Sequence, residues 1–230
     1  MKKAVIAALT IILGASMLFA QTTMRTSLRD ASFEGSVSGF GVLPATDPYL
    51  SQVTVKDALP ATMVDWVLVE LRSSVSGATV ASAVGCLLSD GSVTDTTGLA
   101  GLTFEGLESS ASYYIVVKHR NHLSIMSATA VQIDETNGTP EFDFTAGSAY
   151  STGDQGLAQK LVGSEYAMYA GDGDDNDAIQ TADKSLFWDI QAGLSGYRPA
   201  DFDLNGFVQT NDNSAFYQYN VGKASQVPAQ

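Results

Sequence analysis

The stretch Met63 to Arg72 (MVDWVLVELR) is apolar on both faces at its start and alternates toward its end. That pattern predicts a central strand covered on both sides. Val80 to Leu88 is a second apolar run, closed by the turn dipeptide Asp90-Gly91. Leu102 to Phe104 is a short third run, and Tyr113 to Lys118 (YYIVVK) is aromatic and β-branched. Val131 to Ile133 and Phe142 to Phe144 flank Asn137-Gly138, a hairpin signal, with Pro140 implying a longer or edge connection. Strands spaced about 8–12 residues apart, with turn residues between them, predict a β-sandwich over residues 61–146. The fold class is therefore mainly β, followed by a small α module at the C-terminus.

The flanks read differently. Lys2 and Lys3 precede an apolar run from Ala4 to Phe19, and Ala20 offers a cleavage point before Gln21. This is the layout of a secretory signal peptide over residues 1–20. The run is short for a membrane span and no basic stop-transfer flank follows it. Residues 21–60 are rich in Gly, Ser, Thr and Pro and predict an irregular lead-in with one or two short strands. Ala146 to Gly156 is small and polar and reads as a linker, with a connecting segment to residue 165. Residues 166–230 are then a separate module.

Charge narrows the function. The chain carries 12 Lys and Arg against 25 Asp and Glu, a net charge of −13, which becomes −15 without Lys2 and Lys3. Such a surface repels nucleic acid and anionic membrane, and suits a cation-binding role. The one cysteine, Cys86, lies in an apolar strand pattern and reads as a buried small hydrophobe.

The acidic residues concentrate in two twelve-residue segments that align with each other. The first runs from Asp172 through Asp174, Asn176, Asp177, Ala178 and Ile179 to Asp183. The second runs from Asp201 through Asp203, Asn205, Gly206, Phe207 and Val208 to Asp212. Both have Asp, Asp and Asn at positions one, three and five, an aliphatic residue at eight, Gln-Thr at nine and ten, and Asp at twelve. Calcium is a hard cation that takes six to eight oxygens, and a loop of this length supplies them from alternate side chains. Positions one, three, five and twelve contribute side chains, and position seven contributes the carbonyl of Ala178 or Phe207. Two calcium ions are the expected cofactors. In paired loops Ile179 and Val208 are expected to bridge one another, and Asp at twelve to cap a following helix. Helix-like runs follow each loop, Lys184 to Ala192 and Asn213 to Tyr219. Asp177 stands at position six where Gly is expected, which costs energy at positive φ and weakens the first site.

This duplicated loop, with Asp rather than Glu at position twelve, resembles a dockerin, a paired EF-hand-like calcium module. The resemblance implies a protein partner of the cohesin kind, met by positions ten and eleven: Thr181 and Ala182, then Thr210 and Asn211. The cadence from Asp90-Gly91 through Phe104 and Gly106 to Tyr113-Tyr114 resembles prealbumin-like and Cna-B-like sandwich modules, which implies a scaffold. Met24 to Leu28, Leu43-Pro44, Asp65 to Arg72, His119 to Leu123, Tyr169 to Asp172 and Asn220 to Pro228 resemble haemagglutinin-like surface proteins of Bacteroidetes-type bacteria. That resemblance implies a secreted, extracellular or cell-surface protein of structural or adhesive role.

Other chemistry finds less support. His119 and His122 are the only histidines, no third zinc ligand lies near them, and they read as a strand end and turn. Gly35 to Gly39 reads GSVSG, with Val where a nucleophile elbow needs Ser. Trp66 and Trp188 sit inside apolar runs and read as core residues. The expectation is a non-enzymatic calcium-binding protein that engages a protein partner. The alternatives are a carbohydrate-binding adhesin that takes a glycan, or a self-assembling filament or surface-layer subunit.

Overall fold

The computed structural model describes residues 5–12, 24–108, 110–133, 140–153 and 158–230. The chain is mainly β, with two short helices near its C-terminus. The strands are β1 (Val5–Ile12), β2 (Met63–Arg72), β3 (Thr79–Leu88), β4 (Ser92–Thr94), β5 (Leu102–Leu107), β6 (Ser112–His119), β7 (His122–Met126), β8 (Val131–Gln132) and β9 (Glu141–Asp143), then β10 (Lys160–Val162) and β11 (Glu165–Ala167). The first nine form one sheet along the path β5-β1-β4-β3-β2-β6-β7, with β8 beside β6 and β9 beside β1. The Asn137-Gly138 hairpin signal lies outside the described residues. Among the described residues no helix is long and apolar enough to cross a membrane.

Strand β2 is central and buried on both faces, as its pattern predicts. Val67, Val69 and Leu71 join Phe104, Ile115, Val117 and Phe144 in one core cluster. Trp66, Leu68 and Met63 face the other way, against Leu28, Phe40, Leu43 and Leu59. Alternate side chains of a strand point to opposite faces, so one run of ten residues serves two cores. Each such buried large side chain stabilises the fold by about 1.5–3 kcal/mol. Cys86 is fully buried in the second cluster, and that burial pushes its thiol up to about 12.

The lead-in is irregular but not loose: it is the lid over that second core. Its only pairings among the described residues are single bridges, Val37 with Gly41 and Thr46 with Thr54. The buried Asp47 carboxylate holds it in shape by accepting five backbone N–H bonds, from Tyr49, Leu50, Ser51, Gln52 and Val53. Burial opposes that charge, yet the five donors win and hold the carboxyl below its ordinary value. Trp66 Nε1 donates to the Pro44 carbonyl at 3.0 Å and pins the lid to β2.

Residues 148–150 bond to the edge of β7. Ala128 N donates to the Ser148 carbonyl, and Tyr150 N to the Met126 carbonyl. Further along, residues 169–171 pair with the β6–β7 hairpin, through Leu123 N to the Tyr169 carbonyl and Gly171 N to the Asn121 carbonyl. The C-terminal segment therefore packs on the sheet around a third core of Leu123, Ala170, Ile179, Phe202, Val208 and Phe216.

Candidate metal centre

Each acidic loop closes on itself through the same set of bonds. In the first, Asp172 accepts the N–H of Asn176 (3.1 Å) and Asp177 (2.9 Å), and Asn176 Oδ1 accepts that of Ala178. Asp183 accepts N–H bonds from Gly173, Asp174 and Gln180. In the second, Asp201 accepts from Asn205 (3.0 Å) and Gly206 (2.9 Å), and Asn205 Oδ1 from Phe207. Asp212 accepts from Phe202, Asp203 and Gln209. The sequence repeat is thus a repeat of geometry, residue for residue.

Backbone handedness repeats as well. Position four is left-handed in both loops, at Asp175 (φ 56°) and Leu204 (φ 58°). Position six is left-handed too, at Asp177 (φ 64°) and Gly206 (φ 86°). The strain expected at Asp177 is therefore present, and it has a compensation: Asp177 Oδ1 accepts the Ser124 N–H at 3.1 Å, tying the first loop to β7.

The expected bridge between Ile179 and Val208 does not form. Ile179 instead exchanges backbone bonds with Lys223 and Gly222, and Val208 with Leu194 and Gly193. Gly193 and Gly222 follow the two helices at equivalent places and take positive φ, as helix-ending glycines do. Each loop is therefore closed by the segment after the other loop's helix, so the repeat is longer than twelve residues and the two copies interlock. The helices are Asp183–Trp188, with i to i+5 π-helical bonding, continuing as Asp189–Gln191, and Asp212–Tyr217 continuing as Gln218–Asn220. They match the helix-like runs of the sequence. Trp188 corrects the sequence reading: it is half-buried rather than core, and its indole N–H donates to the Gln209 carbonyl at 2.9 Å.

Carboxylate oxygens of Asp172, Asp174 and Asp183 lie within 4.8 Å of one another, and so do those of Asp201, Asp203 and Asp212. Among the described residues none of the six carboxylates forms an ion pair with Lys or Arg. Asp174 Oδ1 is buried without a hydrogen-bond partner. Burial pushes the carboxyl of Asp172 up to about 7, with Asp183 and Asp175 adding repulsion, although N–H bonds oppose it. Burial likewise pushes Asp212 up to about 6, and raises Asp183 and Asp201. Two crowded carboxylate triads, buried except for Asp174 and with only Arg120 near enough to offset Asp201, fit a divalent cation, which supplies positive charge.

The carbonyls that flank position seven are already engaged: those of Asp177 and Ile179 accept from Ser225 and Gly222, and those of Gly206 and Val208 from Gly196 and Gly193. Of the sequence-derived partner residues, Thr181, Thr210 and Asn211 are exposed and Ala182 is half-buried. Asn211 also donates to Asp203 Oδ2 at 2.9 Å, which engages it in the second loop.

Sequence reasoning missed what holds the loops to the sheet. Asp65 on β2 is fully buried and lies 2.9 Å from Arg120 Nε and 3.2 Å from His119 Nε2, while Tyr197 OH donates to it at 2.8 Å. Burial opposes its charge, but Arg120 and its other partners hold the carboxyl well below the carboxylate range. Arg120 also stacks 4.2 Å over the Tyr197 ring and donates to the Arg198 carbonyl. Next to it, Asn121 Nδ2 donates to the carbonyls of Pro199 and Asp201. The signal was the run His119-Arg120-Asn121-His122 at a hairpin tip. Burial pushes the His122 imidazole well below its ordinary pKa, with His119 and Arg120 adding repulsion, and its Nδ1 lies 2.8 Å from Asn121 Oδ1.

No protein-family profile matches this chain, and no curated protein matches it. Two solved structures are similar in part, both interface mutants of a type II cohesin–X-dockerin complex from Acetivibrio cellulolyticus. The N-terminal interface mutant shares 14% identity at a TM-score of 0.44, over 94% of this chain and 97% of that one. The C-terminal interface mutant shares 16% identity at 0.44, over 95% and 97%.

Proposed function

We propose that this is a secreted, non-enzymatic, calcium-binding surface or extracellular protein of structural or adhesive role. Its two acidic loops each take one calcium ion, held by Asp172, Asp174, Asn176, Ala178 and Asp183 in the first and Asp201, Asp203, Asn205, Phe207 and Asp212 in the second. The observation that carries this is the doubled cluster of three crowded carboxylates, none of them in an ion pair with Lys or Arg among the described residues. Residues 61–146 are a β-sandwich scaffold, and residues 166–230 a dockerin-like module whose order depends on metal.

The module presents Thr181, Ala182, Thr210 and Asn211 to a protein partner. The helix after the first pair also exposes Leu186 (60%) and Ile190 (67%), apolar area suited to a protein contact. Pull-down from surface extracts of the source cells tests this. Calcium-dependent capture of one partner, lost when Thr181 and Thr210 are both changed to Asp while calcium uptake survives, is the expected result. Binding to a glycan array that ignores those changes, or calcium-dependent high-mass species of the pure chain alone, contradicts it and favours the adhesin or the filament.

A further inference from the structure

The apolar segment of the leader, Val5–Ile12, is strand β1 of the sheet. Val5, Ala7, Ala8 and Leu9 lie opposite Leu107, Phe104, Thr103 and Leu102 of β5, antiparallel. Thr10 to Ile12 run parallel to Glu141 to Asp143 of β9, and Ile11 and Ile12 lie opposite Val93 and Ser92 of β4. Among the described strands, β5 and β9 pair with nothing else. Their inward residues are core residues: Leu102, Phe104, Leu107 and the adjoining Phe144 are 0–4% exposed. Cleavage after Ala20 takes β1 away. It leaves β5 and β9 with unpaired backbone beside buried apolar residues, a combination that recruits a new strand.

We propose that the exported chain carries an open strand position between β5, β9 and β4, and fills it with an extended apolar segment of a second, different polypeptide. The inference rests on the secretion reading. A second copy of this chain is the poorer donor, because among the described strands only β5 and β9 lose their partner with β1, and these two line the open position themselves. The register states what the donor looks like. It is about eight residues long, the span of β1. It runs antiparallel to β5 and parallel to β9. Residues facing each other across an antiparallel pair share a face, so donor residues opposite Leu102, Phe104 and Leu107 are apolar and uncharged. The one opposite Thr103, which is exposed, is free to vary.

Strand exchange tests this on the full chain. A protease site is placed between residues 13 and 20, the folded protein is cut, and a labelled synthetic peptide of residues 4–13 is added. The expected result is that the cut piece stays bound, exchanges for one labelled peptide per chain, and leaves a lower melting temperature when competed away. A peptide with Ala7→Asp, which sets a charge opposite buried Phe104, should bind about a hundredfold more weakly. Release of the piece with unchanged melting and no peptide uptake overturns the strand position. The N-terminus of the exported protein, read by mass spectrometry, separates the two readings. Retention of residues 5–12 removes the secretion reading and with it the need for a donor, whereas cleavage without exchange removes only the donor.

Discussion

The Asn121 side chain donates from Nδ2 to the Asp201 carbonyl at 2.8 Å, while its backbone carbonyl accepts the N–H of Asp172 at 3.2 Å. One residue at the tip of the β6–β7 hairpin therefore touches the first position of both acidic loops. The sheet and the two loops are one mechanical unit at this point.

Asn121→Ala separates the two contacts. The backbone bonds to the first loop persist, but the carbonyls of Pro199 and Asp201 lose a buried donor, at a cost of about 2–4 kcal/mol. The expected outcome is a second site weakened about tenfold or more, with the first site nearly unchanged. Titration of calcium into the variant, fitted to two sites, checks the asymmetry.

The buried Asp65–Arg120 pair gives a stability prediction. Asp65→Ala leaves the Arg120 guanidinium buried without its carboxylate and should cost about 3–5 kcal/mol in denaturant unfolding. Its pH dependence has a fixed sign. The folded carboxyl lies below its unfolded value of about 3.9, so its contribution is fully present above that value and is lost as pH falls below it. In the native chain the pair should hold at pH 5.

The loop carboxylates behave in the opposite way. With Asp172 raised to about 7 and Asp212 to about 6, the metal-free fold binds more protons than the unfolded chain between about pH 4 and 7. Metal-free protein should therefore lose stability as pH rises through that window. Calcium-loaded protein should gain it, because ions displace those protons. Melting temperatures at pH 5 and pH 8, with and without calcium, should show slopes of opposite sign.

Asp177 balances strain against a contact. Its left-handed backbone costs about 1–2 kcal/mol relative to Gly, and its bond from Ser124 returns a similar amount. Asp177→Gly should change first-site affinity by less than about threefold, and Asp177→Ala, which keeps the strain and loses the bond, should weaken it about tenfold. Calorimetric titration of both variants tests the balance.

Much of this was legible in the sequence, for identifiable reasons. Met63 to Arg72 announces a doubly covered strand because alternation fails where both faces are buried. The loops are legible because the same residue types recur at the same spacing, and each copy closes through the same bonds. The interlock of Ile179 with Gly222 was not legible, since nothing in a local pattern says which segment will pair with which. The roles of Arg120 and Asn121 were hidden for a related reason. A polar run at a hairpin tip looks the same whether it faces water or, as here, the buried carbonyls of a distant loop. The covering role of the lead-in was not legible, because scattered apolar residues such as Leu28, Phe40 and Leu43 show no period even when they cover a core.

Calcium calorimetry on the chelator-stripped chain bears most directly on the central claim. Two ions per chain should bind, each raising heat resistance, and Asp201→Ala with Asp212→Ala should abolish one of them. A stripped chain that takes up no ion at millimolar calcium, and is as compact and heat-resistant as before, would contradict the account.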